Sequence, residues 1–234
     1  MAVRLGLPRL TPLLAFQPGC WGHLRNRVPL AARSYSVKEE AHSDPEGLSQ
    51  WTIEDREPPT ALITGGSRGI GLAIAKRFTS RGNVCTIIGR DDSVLKKAVT
   101  GSPQMSYVVG DVRHREFWES LASGSVQKFD SNGQGSTASP AVDVLVNAAG
   151  ITHSSLLRST EARTIEDVID TNLMGTIWAC KYLTKGMKGM LWRAKQKNRV
   201  YTSSIINISS LLALQGGRGT AAYSASKAGI LGTA

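Results

Sequence analysis

From Thr60 onward the chain alternates short apolar runs with amphipathic stretches. Ala61-Leu62-Ile63-Thr64 is almost wholly apolar and is bounded by Pro58-Pro59 and by glycines, as expected of a strand buried on both faces. A glycine-rich turn follows, Thr64-Gly65-Gly66-Ser67-Arg68-Gly69-Ile70-Gly71, and then Ile74, Ala75 and Phe78 recur at helical spacing, predicting a helix over Leu72–Arg81. Val84–Ile88 reads as a second strand. Ser106–Val109 reads as a third, ending at Asp111-Val112, and Val142–Val146 as a fourth, ending at Asn147-Ala148-Ala149-Gly150. Helical periodicity resumes through Thr164–Lys185, and Ile205–Ile208 is a fifth strand. Between these elements Ser123–Pro140 is rich in Ser and Gly and reads as a flexible surface insertion. The basic stretch Arg193–Arg199 reads as a solvated loop. Strand, glycine turn, helix, strand is the opening of an α/β, Rossmann-type doubly wound parallel sheet with helices on both faces.

Composition changes this picture mainly at the amino end. The 234 residues suffice for one domain with a real core. Five arginines and no acid fall in residues 1–35, so half of the net charge of +10 lies there and the body is only mildly basic. An extended basic surface for nucleic acid is therefore not expected. Leu, Ala and Arg, no Asp or Glu before Glu39, and the ending Arg33-Ser34-Tyr35-Ser36 describe a mitochondrial presequence over 1–35, cleaved after Tyr35 and directing the protein to the matrix. A basic tail with no targeting role has the same composition. The apolar run near Leu10–Phe16 is too short, and broken by Pro12, for a secretory signal. No stretch reaches the ~20 apolar residues of a membrane span. Residues 36–58 are polar and proline-containing and read as a linker, leaving 59–234 as the nucleotide-binding domain. Cys20, Cys85 and Cys180 match no metal or redox spacing and no metal site is expected; the last two read as core thiols.

The candidate chemistry lies in three places. Tyr223 and Lys227, four residues apart on a predicted helix, share one face, so an ammonium can act on a phenol. Ser210 lies thirteen residues before Tyr223 at the end of an apolar run. The glycine turn lets backbone approach a pyrophosphate at a helix amino terminus. Each feature alone also fits a surface pair, a loop serine or an ordinary turn.

Taken in order, the Thr64–Gly71 turn, Asn147–Gly150, Ser210 and Tyr223-Ser224-Ala225-Ser226-Lys227 resemble the short-chain dehydrogenase/reductase family from about Thr60 to Ala234. The resemblance implies that Tyr223 is the proton donor, that Lys227 stabilises the phenolate and bonds the nicotinamide ribose, and that Ser210 orients the carbonyl, with Ser209 as its rival. It implies that Asn172 holds a water of the proton relay through its backbone. Gly65, Ser67, Arg68, Gly69, Ile70 and Gly71 would cradle the cofactor, Asp111 and Val112 would face adenine, and Asn147, Ala148, Ala149 and Gly150 would support the sheet and line the cofactor. Where NAD-binding members carry an acid this chain has Gly89, followed by Arg90. Arg68 and Arg90 can clamp a 2′-phosphate, so NADPH is expected, although Asp91 and Asp92 would bring an acid to the ribose in a shifted register. Within the family, Asn147–His153 and Tyr223–Gly232 are most similar to beta-ketoacyl-acyl-carrier-protein reductases. That implies a 3-oxoacyl thioester substrate on acyl carrier protein in mitochondrial type II fatty acid synthesis, and Arg193, Lys195, Lys197 and Arg199 as a patch for the acidic carrier. Quinone or hydroxysteroid reduction is the alternative activity. Family members continue beyond the position of Ala234 with a sixth strand, a substrate cover, a seventh strand and much of the subunit interface. The expectation is thus a carboxyl-terminally incomplete fold with an exposed fifth strand, weak or absent activity, and assembly into homo- or hetero-oligomers only when the fold is completed.

Overall fold

A computed structural model describes residues 58–137, 142–196 and 203–233, side chains excepted for 188–196. The proposed presequence, nearly all of the linker, and Lys197 and Arg199 of the basic stretch lie outside the described residues.

Five parallel strands form the centre of the sheet: β1 Thr60–Thr64, β2 Val84–Gly89, β3 Met105–Val109, β6 Val144–Asn147 and β7 Ser204–Asn207. The full order is β5-β4-β3-β2-β1-β6-β7, where β4 (Gln127–Phe129) and β5 (Gly135–Thr137) are an antiparallel hairpin added beside β3. Side chains alternate between faces. Ala61, Ile63, Ile87, Met105, Tyr107 and Val146 pack with Ala75 of α1 (Gly69–Thr79) and with Leu95 and Val99 of α2 (Asp92–Val99). Leu62, Ile88, Val108 and Leu145 pack on the other face, with Trp118 and Leu121 of α3 (Arg115–Ser123) and Ala179, Leu183 and Met187 of α5 (Gly175–Gln196). Where both faces are covered, as for β1, β2 and β6, the strands read as continuous apolar runs rather than alternating ones.

Two expectations are corrected. The segment Ser123–Pro140 is not simply a flexible insertion: within it β4 and β5 pair in register, and Phe129 stacks on Tyr107 of β3 with ring centroids 5.2 Å apart. Its turn is held by the Asp130 carboxylate, which accepts the N–H groups of Asn132 and Gln134 at 2.9 and 2.8 Å, while Gly133 supplies the left-handed residue at φ 81°. The basic stretch is not a loop at its start either, because α5 runs through Gln196 and carries Arg193 and Lys195 in its last turns.

α5 continues from α4 (Ala162–Ile169) through one π-helical turn, Asp170–Met174. A short helix α6 (Leu212–Gln215) precedes α7 (Ala221–Leu231), and α7 packs against α6, α4 and the π turn. Among the described residues β7 has one strand neighbour, β6, and its Ile205 and Ile206 are 40% and 44% exposed. No helix of the described residues is long and apolar enough to cross a membrane.

Candidate active site

The chain runs outward from β1 to β3 on one side and from β6 to β7 on the other, so β1 and β6 meet at the point where the order reverses. A crevice beyond the carboxyl ends of such strands is where open α/β sheets bind ligands. The two loops leaving those strands are locked together. Thr64 Oγ1 accepts the N–H groups of both Ala148 and Ala149, at 3.1 and 3.0 Å. Gly65, at φ 66°, lies so close to the second loop that a Cβ there would be 2.7 Å from Ala149 Cα. A Cβ at Gly71 would collide with the Gly65 carbonyl oxygen, so the turn closes only with glycine at both places. A Cβ at Gly69, in contrast, would meet open space. That opening faces the first turn of α1, whose N–H groups have no intrahelical partners, with Ser67 half-buried and Arg68 and Ile70 exposed around it. The donors, the dipole and the room fit a pyrophosphate.

At the end of β2, Gly89 faces Leu95, and a Cβ would sit 3.2 Å from Leu95 Cδ2. An acid side chain at that position would require Leu95 to yield. Arg90 is exposed, and among the described residues neither it nor Arg68 has an ion-pair partner. Both nearby acids are committed to the protein. Asp91 caps α2, accepting Val94 N–H at 3.2 Å and Ser93 Oγ–H at 2.7 Å, and these bonds hold its carboxyl below the ordinary range. Asp92 accepts the Tyr107 hydroxyl at 3.0 Å.

Asp111 and Val112 follow β3 but face the protein in these contacts. Arg113 donates to both Asp111 oxygens at 2.7–3.1 Å and to Asp167 Oδ1 at 2.5 Å, joining this loop to α4. Burial pushes the Asp111 carboxyl up, but the Arg113 hydrogen bonds and charge outweigh it and leave it lowered. Val112 is buried, touches Gly175 closely enough to exclude a Cβ there, and its carbonyl accepts Trp118 Nε1–H at 2.9 Å. Asn147 supports the sheet: its Nδ2 donates to Asn207 Oδ1 of β7 at 2.9 Å and to Cys180 Sγ at 3.6 Å. Its Oδ1 is buried and unpaired. Burial raises both described thiols, Cys85 to about 12, as suits core cysteines.

The catalytic candidates gather where α7 crosses the π turn. Lys227 is 5% exposed, its Nζ donates to Ile208 O at 2.7 Å just past β7, and it lies 5.9 Å from the Tyr223 ring centroid. Burial lowers the Lys227 ammonium's affinity for its proton. Gly150 fits beside it because a Cβ there would be 3.5 Å from Lys227 Nζ and 3.3 Å from Asn172 Oδ1. Asn172, fully buried, uses its side chain as a clamp. Its Oδ1 accepts Ile151 N–H at 2.8 Å, and its Nδ2 donates to Ile151 O at 3.0 Å and Ser226 Oγ at 2.9 Å. Ser226 Oγ donates in turn to Tyr223 O at 2.7 Å. The Asn172 carbonyl accepts Thr176 Oγ1–H at 2.9 Å across the π turn. Ser209 Oγ–H is spent on Lys227 O at 2.8 Å, whereas Ser210 Oγ accepts Leu212 N–H at 3.2 Å and keeps its own proton to donate. Of the two serines, only Ser210 has a hydroxyl donor left for a ligand.

Residues outside the sequence prediction complete the arrangement. Thr64 and Ser226 align the loops and the tyrosine backbone. His153 lies between Ile151, clamped by Asn172, and Ser155, whose N–H donates to Gly219 O at 2.9 Å; its ring nitrogens are shielded and unpaired. A hydroxyl residue ending a strand before glycine, and a serine just ahead of the helix lysine, were the available signals for Thr64 and Ser226.

The family model described as short chain dehydrogenase matches residues 59–234, so the chain belongs to that family. It is 35% identical over 178 residues to the 3-oxoacyl-[acyl-carrier-protein] reductase FabG of Chlamydia muridarum, covering 74% of this chain and 63% of that protein. It is 33% identical over 170 residues to carbonyl reductase family member 4 of Xenopus laevis, covering 73% and 64%. Among solved structures, a short chain dehydrogenase/reductase family protein matches with a TM-score of 0.62 and 30% identity over 76% of this chain and 66% of that one. The chain therefore spans just under two thirds of the length of these curated relatives.

Proposed function

We propose that this protein reduces a 3-oxoacyl thioester on acyl carrier protein to the 3-hydroxyacyl thioester, using NADPH, in mitochondrial type II fatty acid synthesis. The observation that carries the reading is the cluster of Tyr223, Lys227, Gly150 and Asn172 beside the β1–β6 crevice, with Ser210 at the head of α6 next to α7. A bound nicotinamide supplies the hydride. Tyr223 gives its phenolic proton to the oxygen of the reduced carbonyl, and Ser210 donates a hydrogen bond to that oxygen as charge gathers on it. Lys227, its position fixed by Ile208 O, stabilises the phenolate left behind. Asn172 holds the loop at Ile151 and, through Ser226, the backbone of Tyr223. NADPH rather than NADH is supported by two guanidiniums, Arg68 and Arg90, that have no ion-pair partner among the described residues, beside two acids that are already engaged. The matrix location rests on the arginine-rich, acid-free residues 1–35 and their ending. Similarity to 3-oxoacyl-acyl-carrier-protein reductases supports the substrate. Arg193 and Lys195 near the end of α5 would meet the acidic carrier.

A second reading, a nucleotide-binding subunit with little turnover of its own, is favoured by the exposure around the site. Leu211 and Leu214 are 67% and 64% exposed, and among the described residues β7 has no strand on its outer edge. An open site loses positioning and water exclusion that each contribute several kcal/mol, roughly 3 or more. The test is NADPH consumption with a 3-oxoacyl-carrier thioester by the purified chain, alongside nucleotide binding. The first reading expects 3-hydroxyacyl product, abolished in Tyr223→Phe. Tight NADPH binding without product would replace it by the second, and failure to bind either nucleotide would defeat both.

A further inference from the structure

The hydrogen bond between Tyr107 and Asp92 has no part in the proton chemistry, yet it decides where a carboxylate stands near the end of β2. Asp92 is the first residue of α2 and only two residues beyond Arg90. It lies on an exposed segment, and among the described residues Tyr107 is its side-chain hydrogen-bond partner. That partner comes from the core. Tyr107 is 2% exposed, lies on β3 opposite Ile87 of β2, and donates its hydroxyl to Asp92 Oδ1 at 3.0 Å. Its ring is backed by Phe129 of the β4–β5 hairpin, 5.2 Å away with the planes 25° apart.

We propose that Tyr107 is a positioning residue for nucleotide selectivity: by holding the Asp92 carboxylate against β3, it keeps that charge away from Arg90 and from the 2′-phosphate that Arg90 would bind. The proposal rests on the NADPH reading given above. Three observations carry it. Arg90 and Arg68 have no acid partners among the described residues, so the site is strongly cationic only while the neighbouring carboxylates stay engaged. Asp91 is held by capping α2 through its own local bonds, which leaves Asp92 as the acid whose position depends on a residue from elsewhere in the chain. The holding residue is rigid, since its ring is buried between α2 and the hairpin. Burial first, and then the Asp92 bond and charge, raise the Tyr107 phenol above its ordinary value, so it remains a donor throughout the neutral range. Released, an aspartate at the head of α2 would pair with Arg90 or repel the doubly charged 2′-phosphate, and NADH, which lacks that group, would be little affected.

The experiment compares dissociation constants for NADPH and NADH by fluorescence titration of the full chain at constant ionic strength. Tyr107→Phe keeps the ring and its stacking while removing the donor. It is expected to lower the preference for NADPH about three- to tenfold, and Tyr107→Phe with Asp92→Asn is expected to restore it. A merely structural role would weaken both nucleotides together and would not be rescued by the second change. Arg90→Ala separates the proposal from the reading beneath it. If Arg90→Ala lowers the preference and Tyr107→Phe does not, the positioning role is overturned and the NADPH reading stands. If neither changes the preference, the NADPH reading itself has failed. Asp92→Asn alone keeps the proposal testable should Tyr107→Phe not fold. With its carboxylate already held away, that change is expected to shift the preference less than about twofold; a tenfold gain for NADPH would show that Asp92 opposes the phosphate in the native protein, contrary to the proposal.

Discussion

Replacing Asn172 by alanine tests whether this residue serves mainly as a clamp. Its side chain makes three hydrogen bonds in a fully buried position, two to the backbone of Ile151 and one to Ser226. Alanine leaves an N–H and a carbonyl of Ile151 without protein partners, while Ser226 keeps its bond to Tyr223 O. Each stranded backbone group costs about 1–3 kcal/mol when water cannot reach it. Ile151 is only half-buried, so some water returns and the lower part of that range applies. Two such groups and the lost Ser226 contact together give about 3–4 kcal/mol. That is a large fraction of the ~5–15 kcal/mol that stabilises an ordinary domain. Urea unfolding followed by tryptophan fluorescence provides the assay, with fully buried Trp118 as a reporter in the core. With a urea slope of about 2 kcal/mol per molar, the midpoint should fall by about 1.5–2 M. Asn172→Asp sharpens the test, because it keeps the acceptor for Ile151 N–H but turns a second oxygen towards the Ile151 carbonyl, and it should be no better than alanine. A midpoint lowered by less than about 0.3 M in both variants, within the error of such extrapolations, would refute the clamp and return Asn172 to a role exerted by its backbone alone.

Arg113→Gln removes the link between Asp111 and Asp167 and should cost about 1–3 kcal/mol at neutral pH. Because the folded Asp111 carboxyl is lowered, the stability it contributes is fully present above its unfolded value of about 3.9 and is lost as pH falls through the folded value. The deficit of the variant should therefore shrink in acid, and a deficit equal at pH 7 and at about pH 3 would contradict the assignment. Lys227→Met should abolish proton delivery while changing stability by less than about 1 kcal/mol, since replacing a buried charge by an apolar chain of similar size is often neutral. Burial lowers the folded ammonium below its unfolded value near 10.4, so the unfolded state binds more protons between the two and the native protein should gain stability as alkaline pH rises through that interval; Lys227→Met should lack the gain, and thermal unfolding against pH measures it.

Strands β1 and β6 were legible because both of their faces are covered, which leaves the uninterrupted apolar runs Ala61–Ile63 and Val144–Val146. Helices α2 and α3 were not, because each is short and buries only two residues, Leu95 with Val99 and Trp118 with Leu121, too few to mark a period. The hairpin escaped for a different reason. Its Ser and Gly content resembles a linker, while its order comes from one ring on Tyr107 and one carboxylate in its turn. At the site, the residues that spacing revealed are those whose chemical type is restricted: a phenol, an ammonium, a hydroxyl and the glycines. The groups that aim them, Thr64, Ser226, Tyr107 and the Asn172 side chain, act by ordinary hydrogen bonds across 3 to 85 positions of sequence. No local period connects such partners, and many residue types can fill the same office. Asp91 and Asp92 show the consequence. From the sequence, two acids after Arg90 argue against a 2′-phosphate, and counting cannot dismiss them. In the fold, one carboxylate caps the helix it begins and the other meets a tyrosine fifteen residues away on the next strand, so both are engaged by the protein rather than left free beside Arg90. On the proposed reading, nucleotide preference would depend on the hydrogen bonds that direct those acids as well as on the arginines beside them.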